Sequence, residues 1–112
     1  MTNNITGGKI ISLDTRSKGN KNENKARKIL EAAGYLVEKK RRSRYSGGDF
    51  FKLWDLIALN LQGWRLIQVK TNKWDSTPME KEQMNMFAVP PHTSKEVWVF
   101  YDRVKEPKII VL

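Results

Sequence analysis

Two short apolar runs separated by a turn constrain this chain more than any other feature: Trp54-Asp55-Leu56-Ile57-Ala58-Leu59 and Trp64-Arg65-Leu66-Ile67-Gln68-Val69-Lys70. Each has the length and apolar content of a buried strand, and Leu61-Gln62-Gly63 joins them as a hairpin. Yet Asp55 stands at the start of one, and Gln68 and Lys70 close the other. Polar and charged groups in strands this hydrophobic are costly unless they share a site. A carboxylate, an amide oxygen and an ammonium gathered on one sheet face form the kind of set that metal-assisted phosphodiester cleavage requires.

The pairing follows from strand geometry. Side chains alternate faces, so Gln68 and Lys70 lie with Leu66, while Asp55 lies with Ile57 and Leu59. A turn centred on Leu61-Gln62-Gly63 makes paired residue numbers sum to about 124, which sets Asp55 opposite position 69, give or take one. Asp55 then sits beside Gln68 and Lys70. A slip of one residue would carry a side chain to the other face.

With 112 residues the chain can bury one core. Its 21 Lys and Arg against 12 Asp and Glu give a net charge of +9. That balance favours a polyanionic partner, most simply nucleic acid, although a basic surface that serves only solubility has the same composition. The absence of cysteine removes disulfides and thiolate metal sites, and a single histidine, His92, removes His-rich zinc sites. No apolar run approaches the roughly 20 residues that span a bilayer, and Met1-Thr2-Asn3-Asn4 is too polar to begin a signal peptide. A cytoplasmic protein without a membrane or small-molecule cofactor is expected.

Along the chain, residues 1–16 read as an N-terminal arm in which Lys9-Ile10-Ile11-Ser12-Leu13 could form a strand. A domain over 17–112 follows. Ala26, Ile29, Leu30 and Ala33 recur at helical spacing from Ser17 onward, and Gly34 ends that helix. Tyr35-Leu36-Val37-Glu38 begins a strand that runs into Lys39-Lys40-Arg41-Arg42-Ser43-Arg44, and Ser46-Gly47-Gly48 breaks it. After the central hairpin, Thr77-Pro78-Met79-Glu80 combines capping-box spacing with proline at the first helical position. That helix should end near Phe87 or Ala88, before Pro90-Pro91. Strands over 96–101 and 108–112 complete an α/β chain ordered helix, three strands, helix, one or two strands.

This order resembles the PD-(D/E)xK nuclease superfamily, and within it the archaeal-type Holliday junction resolvases and their phage and bacterial relatives. The matching pieces are Lys18-Gly19-Asn20-Lys21-Asn22-Glu23, Ala33-Gly34-Tyr35, the basic run through Arg44, Trp54-Asp55-Leu56-Ile57-Ala58 and Leu66-Ile67-Gln68-Val69-Lys70. They span about residues 17 to 103. The resemblance implies a restriction-endonuclease-like core with a mixed central sheet flanked by helices. It further implies a homodimer that cleaves branched double-stranded DNA with Mg²⁺ or Mn²⁺. Two departures stand out: Trp54 replaces the motif proline, and Gln68 replaces the middle acid. An amide oxygen can ligate a hard cation but carries no charge.

Asp55, Gln68 and Lys70 together carry no net charge, so a second carboxylate is needed. Glu23 is in phase with Ala26 and Leu30 on the first helix, and the resemblance places a metal-reaching glutamate there. Its alternative role is to complement the positive end of the helix. The expected metal set is Glu23, Asp55, Gln68 and the carbonyl of Val69, with Lys70 positioning the water or neutralising the phosphate. Asp55 could instead pair with a basic neighbour, Lys70 could serve as an edge-strand charge, and Gln68 could be a buried amide satisfied by backbone groups. Lys39, Lys40, Arg41, Arg42, Arg44 and Lys73 are the expected phosphate contacts, although such a run is also typical of a solvated strand edge. Asp49 is either a further ligand or a turn residue. Gln83 faces the site or solvent, and Trp74 stacks on DNA or fills the edge of the core. Trp64 and Trp98 read as core residues. Val97, Val99 and the last five residues are candidates for a dimer surface.

Overall fold

The computed structural model describes residues 15–40 and 49–112. The expected strand over 9–13 and the basic residues Arg41, Arg42 and Arg44 lie outside them. The elements are α1 (Thr15–Ala32), β1 (Leu36–Lys39), β2 (Leu56–Asn60), β3 (Gly63–Thr71), α2 (Pro78–Met86), β4 (Thr93–Phe100) and β5 (Lys108–Val111). The element order matches the sequence reading, and α1 begins two residues ahead of the expected start.

One five-stranded sheet in the order β1-β2-β3-β4-β5 forms the body. All neighbouring pairs are antiparallel except β3 and β4, which run parallel and are joined through α2. A parallel pair needs such a crossover, because no tight turn can reverse the chain twice. The result is a mixed sheet with a separate core on each side. Ala26 and Leu30 of α1 pack with Leu56, Ala58, Ile67, Val69, Trp98 and Phe100. Met84 of α2 packs with Leu53, Trp54, Leu66, Val97 and Val99. Strand alternation explains the division: even and odd positions of β2 and β3 serve opposite helices.

Local chemistry sets the boundaries. α1 closes where Gly34 turns to φ +94°, with Gly34 N–H donating to Glu31 C=O and Tyr35 N–H to Leu30 C=O. These two bonds satisfy carbonyls that the helix end would leave bare. α2 opens on Thr77, whose Oγ1 accepts from Glu80 N–H at 3.1 Å, with Pro78 at the first turn. In the hairpin Asn60 faces Gly63, and the Asn60 side chain caps Gln62 N–H at 2.8 Å.

Several tertiary expectations change. Trp98 is buried, but Trp64 is 45% exposed and lines an open cleft with Tyr35, Leu36 and Leu59. It sits on the first rungs of β3, at the hairpin end of the sheet. Val97 and Val99 lie under α2 and are fully buried, so they offer no dimer surface, whereas Ile109 and Val111 on the outer strand β5 are exposed. Gln83 points to solvent. Trp74 packs at the rim of the α2-side core with the Lys81 ammonium 4.6 Å from its ring centre.

A buried ionic cluster marks the start of β3. Arg65 makes a two-pronged bond to Glu96 (Nε–Oε2 2.8 Å, Nη2–Oε1 2.7 Å), and Glu96 also accepts from Ser94 Oγ and from Trp98 Nε1. The guanidinium lies over the rings of Tyr35 and Trp98 at 5.2 and 5.4 Å.

Candidate active site

A second ionic cluster lies at the far end of β3, where β2 begins. Leu56 faces Ile67 across the hairpin, one residue off the expected sum, and one further rung sets Asp55 opposite Gln68. That register keeps Asp55 on the nominal face of Gln68 and Lys70. Asp55 itself stands just before β2, where the ladder is interrupted. Its N–H donates to Ile67 C=O, and its carbonyl accepts from Lys40 N–H. The side chain then takes the place of a backbone acceptor, with Oδ2 accepting from Val69 N–H at 2.7 Å. Asp55 is thereby fixed at both backbone and carboxylate.

Glu23 reaches the same place from α1. It lies one turn before Ala26 and two before Leu30, and it is only 4% exposed. Its neighbour Asn22 anchors this turn to the end of β3 through Nδ2 and Thr71 Oγ1, 2.8 Å apart. The helix-phase argument for Glu23 is thus met by the packing of α1.

Between the two carboxylates sits the ammonium of Lys40. Its Nζ lies 2.7 Å from Asp55 Oδ1, 2.9 Å from Asp49 Oδ1 and 3.3 Å from Glu23 Oε2. The register of β1 with β2 accounts for this: Lys39 faces Leu56, so the next rung brings Lys40 opposite Asp55. Lys39 also turns toward α1, where it bonds Asn20 Oδ1 and Asn24 Oδ1 and stands 3.9 Å from Glu23 Oε1. Glu23 Oε1 is buried and has no hydrogen-bond partner.

The electrostatics follow from this count. Burial pushes the Glu23 carboxyl above its ordinary value, and the charge of Asp55 adds to the shift, against the opposing pull of Lys40 and Lys39. Asp55 is likewise raised by burial, although the Lys40 hydrogen bond and charge and the Val69 N–H oppose it. Burial alone would lower the Lys40 ammonium. Its bond to Asp55, the Asp55 charge, the bond to Asp49 and the Glu23 charge outweigh that and hold it above the lysine range.

Gln68 and Lys70 are engaged elsewhere. The buried Gln68 amide donates to Leu53 C=O at 3.1 Å, and its oxygen accepts from Ser76 Oγ at 3.3 Å. Lys70 pairs with Asp75 at 3.5 Å. Val69 serves the cluster through its amide. Lys73 is exposed in the loop after β3. Ser76 and Asn22, which hold Gln68 and the first turn of the site, were not singled out in the sequence. Neither carries a spacing signal.

Among the described residues, no three acidic, histidine or cysteine side chains are spaced as ligands of a metal ion. The carboxylates are spread around an ammonium, at N···O distances longer than the roughly 2.0–2.1 Å of magnesium–oxygen bonds. The donor set still suits a hard cation, since it is all oxygen, mostly buried, and includes one orphaned carboxylate atom.

No protein-family model matches the sequence, and no curated protein does. Among solved structures, the chain is similar to Hjc of Archaeoglobus fulgidus, a Holliday junction resolvase from an archaeal hyperthermophile. The TM-score is 0.65 at 22% identity, over 83% of this chain and 76% of that one. Its five-stranded mixed sheet with two helices therefore shares the fold of that archaeal Holliday junction resolvase, the fold that the ordered motifs led us to expect.

Proposed function

We propose that this protein is a metal-dependent, structure-selective DNA endonuclease that resolves four-way junctions as a homodimer. One observation carries the reading: on a resolvase fold, buried Glu23 and Asp55 converge on a single cation position. Two buried carboxylates that close to each other are costly without a cation between them.

Glu23 and Asp55 would hold the divalent ion, with the Val69 carbonyl and, once freed from Ser76, the Gln68 oxygen. Bound there, Mg²⁺ or Mn²⁺ would lower the pKa of an attacking water and offset charge on the phosphate. Val69 N–H keeps Asp55 oriented, and the middle turn of α1, anchored through Asn22, keeps Glu23 facing it. Lys70, partly exposed, neutralises phosphate charge after exchanging its Asp75 partner. Lys39, Lys73 and the run Arg41, Arg42 and Arg44 contact the DNA backbone. A two-fold dimer suits a junction whose opposing strands are related by similar symmetry.

Purified protein with labelled four-way junction and Mg²⁺ tests this, compared with flap, nicked, linear and single-stranded DNA. Paired junction cleavage that Asp55→Asn abolishes supports the proposal. Preferred cleavage of flaps or duplex ends would assign another substrate to the same chemistry. Sedimentation of the free protein tests the dimer.

The engagement of Gln68 and Lys70 favours one rival, a DNA-binding module without catalysis. It requires junction affinity that chelator leaves unchanged and no heat on adding Mg²⁺.

A further inference from the structure

Lys40 is the lysine drawn deepest into the carboxylate cluster from the start of the basic run, with Lys39 at the edge 3.9 Å from Glu23 Oε1, and its position there is not what a phosphate contact needs. Its side chain is 9% exposed, and all three of its ion-pair partners are acids of the same site. We infer that Lys40 is a resident cation which occupies the metal position of the free protein, that Asp49 is the third carboxylate of that position, and that a divalent ion must displace the Lys40 ammonium to bind. The inference rests on the nuclease reading of Glu23 and Asp55 and adds to it how the site is kept before it is loaded.

Two observations support it independently of that fold, and the motif adds a third. The ammonium is centred on Asp55, Asp49 and Glu23 at 2.7, 2.9 and 3.3 Å, as a captured cation is. Glu23 Oε1 stays buried without a hydrogen-bond partner, so one monovalent head does not satisfy the acids around it. Gln68 has lost the charge of a middle acid, and Asp49 restores it from the loop before β2. With Lys40 in place the four groups carry a net −2; without it they carry −3. A divalent cation matches that excess better than an ammonium, and its stronger field draws the oxygens inward to bonding distance. The wide spacing of the acids is then the spacing of a lysine complex. Once displaced, the Lys40 ammonium is released beside the site, available to a DNA phosphate.

The test is calorimetric titration of the full chain with Mn²⁺ alone, without DNA, for wild type, Lys40→Gln and Lys40→Arg. Removing the competing cation should tighten Mn²⁺ binding about tenfold or more, since each tenfold is about 1.4 kcal/mol and the charge pairs involved are largely desolvated. Lys40→Arg, which keeps the charge, should show no such gain. In the Lys40→Gln background, Asp49→Asn should weaken binding about tenfold; no change there overturns the assignment of Asp49. Equal or weaker binding by Lys40→Gln than by wild type overturns the role of Lys40 and leaves the nuclease reading standing. If none of the proteins binds Mn²⁺, the metal reading itself falls and takes this inference with it. Should Lys40→Gln fail to fold, ¹⁵N resonances of the lysine ammoniums in the wild type decide: Mg²⁺ should convert the protected Lys40 signal to that of a solvated lysine, and an unmoved signal overturns the inference.

Discussion

The two ends of β3 each bury a charged cluster, and the two are built to opposite rules. At its start, Glu96 is matched by Arg65 and further bonded by Ser94 and Trp98, so that every oxygen is satisfied. Burial would raise the Glu96 carboxyl, yet these donors hold it below its ordinary value. At the far end, three acids crowd around Lys40 with Lys39 only at the margin, one carboxylate oxygen has no hydrogen-bond partner, and Glu23 and Asp55 are both raised. The first cluster is complete within the protein. The second is complete only with something added, which is the usual mark of a working site rather than of a structural one.

Four experiments could break that contrast, the largest effect first. Asp55→Asn should lower junction cleavage by roughly 10²- to 10³-fold or more, as loss of a principal charge-stabilising group does, while Glu96→Gln leaves the rate per folded molecule unchanged. Quantified cleavage of active, folded protein checks both. Next, Arg65→Met strands the Glu96 charge in the interior and should cost about 3–5 kcal/mol in denaturant unfolding. A loss well under 1 kcal/mol would mean the cluster is not structural.

Third, the sign should reverse at the other end. In chelator, Glu23→Gln removes a buried charge that Lys40 and Lys39 offset only in part and should stabilise the fold, commonly by about 0.5–2 kcal/mol at such sites. Destabilisation would show Glu23 to be a structural partner of Lys40. The smallest effect is on pH. Glu96 is depressed from 4.5, so its contribution is present above that value and is lost as pH falls through the lower folded value. Glu23 and Asp55 are raised from 4.5 and 3.8, so their carboxyls favour the fold below those values, and that benefit is lost as pH rises through the folded ones. Unfolding curves in chelator should therefore show a weaker acid limb in Glu96→Gln, and in Glu23→Gln a smaller loss of stability as pH rises above 4.5, with the Asp55 share remaining.

Much of this was legible in the residues. Element order followed from apolar period, and the Gly34 and Thr77 caps gave two helix ends. Asp55 was marked by its cost in an apolar strand, and Glu23 by its phase with Ala26 and Leu30. Lys40 was not legible as part of the site. In a run of six mostly basic residues nothing distinguishes the one whose strand register brings it opposite Asp55, because pairing between β1 and β2 is set by tertiary contact. The bonds of Gln68 were not legible for a related reason: alternation gives the face of a side chain but not its partner, and Leu53 C=O and Ser76 Oγ engage its amide. Trp64 illustrates the limit of composition, since a large aromatic near the end of a hairpin can outrun both helices.

Gly63 holds the hairpin end of β3 against the start of β4. At φ +142° it lets the hairpin approach β4 so closely that a Cβ there would lie 1.8 Å from the carbonyl oxygen of His92, the same oxygen that accepts from Trp64 N–H. Any side chain at 63 would push apart the first rungs of the parallel pair and tilt the shaft whose other end aims Val69 at Asp55, about 20 Å away at strand rise. A replacement there would look in an assay like damage to the chemistry, although the lesion would be mechanical and remote.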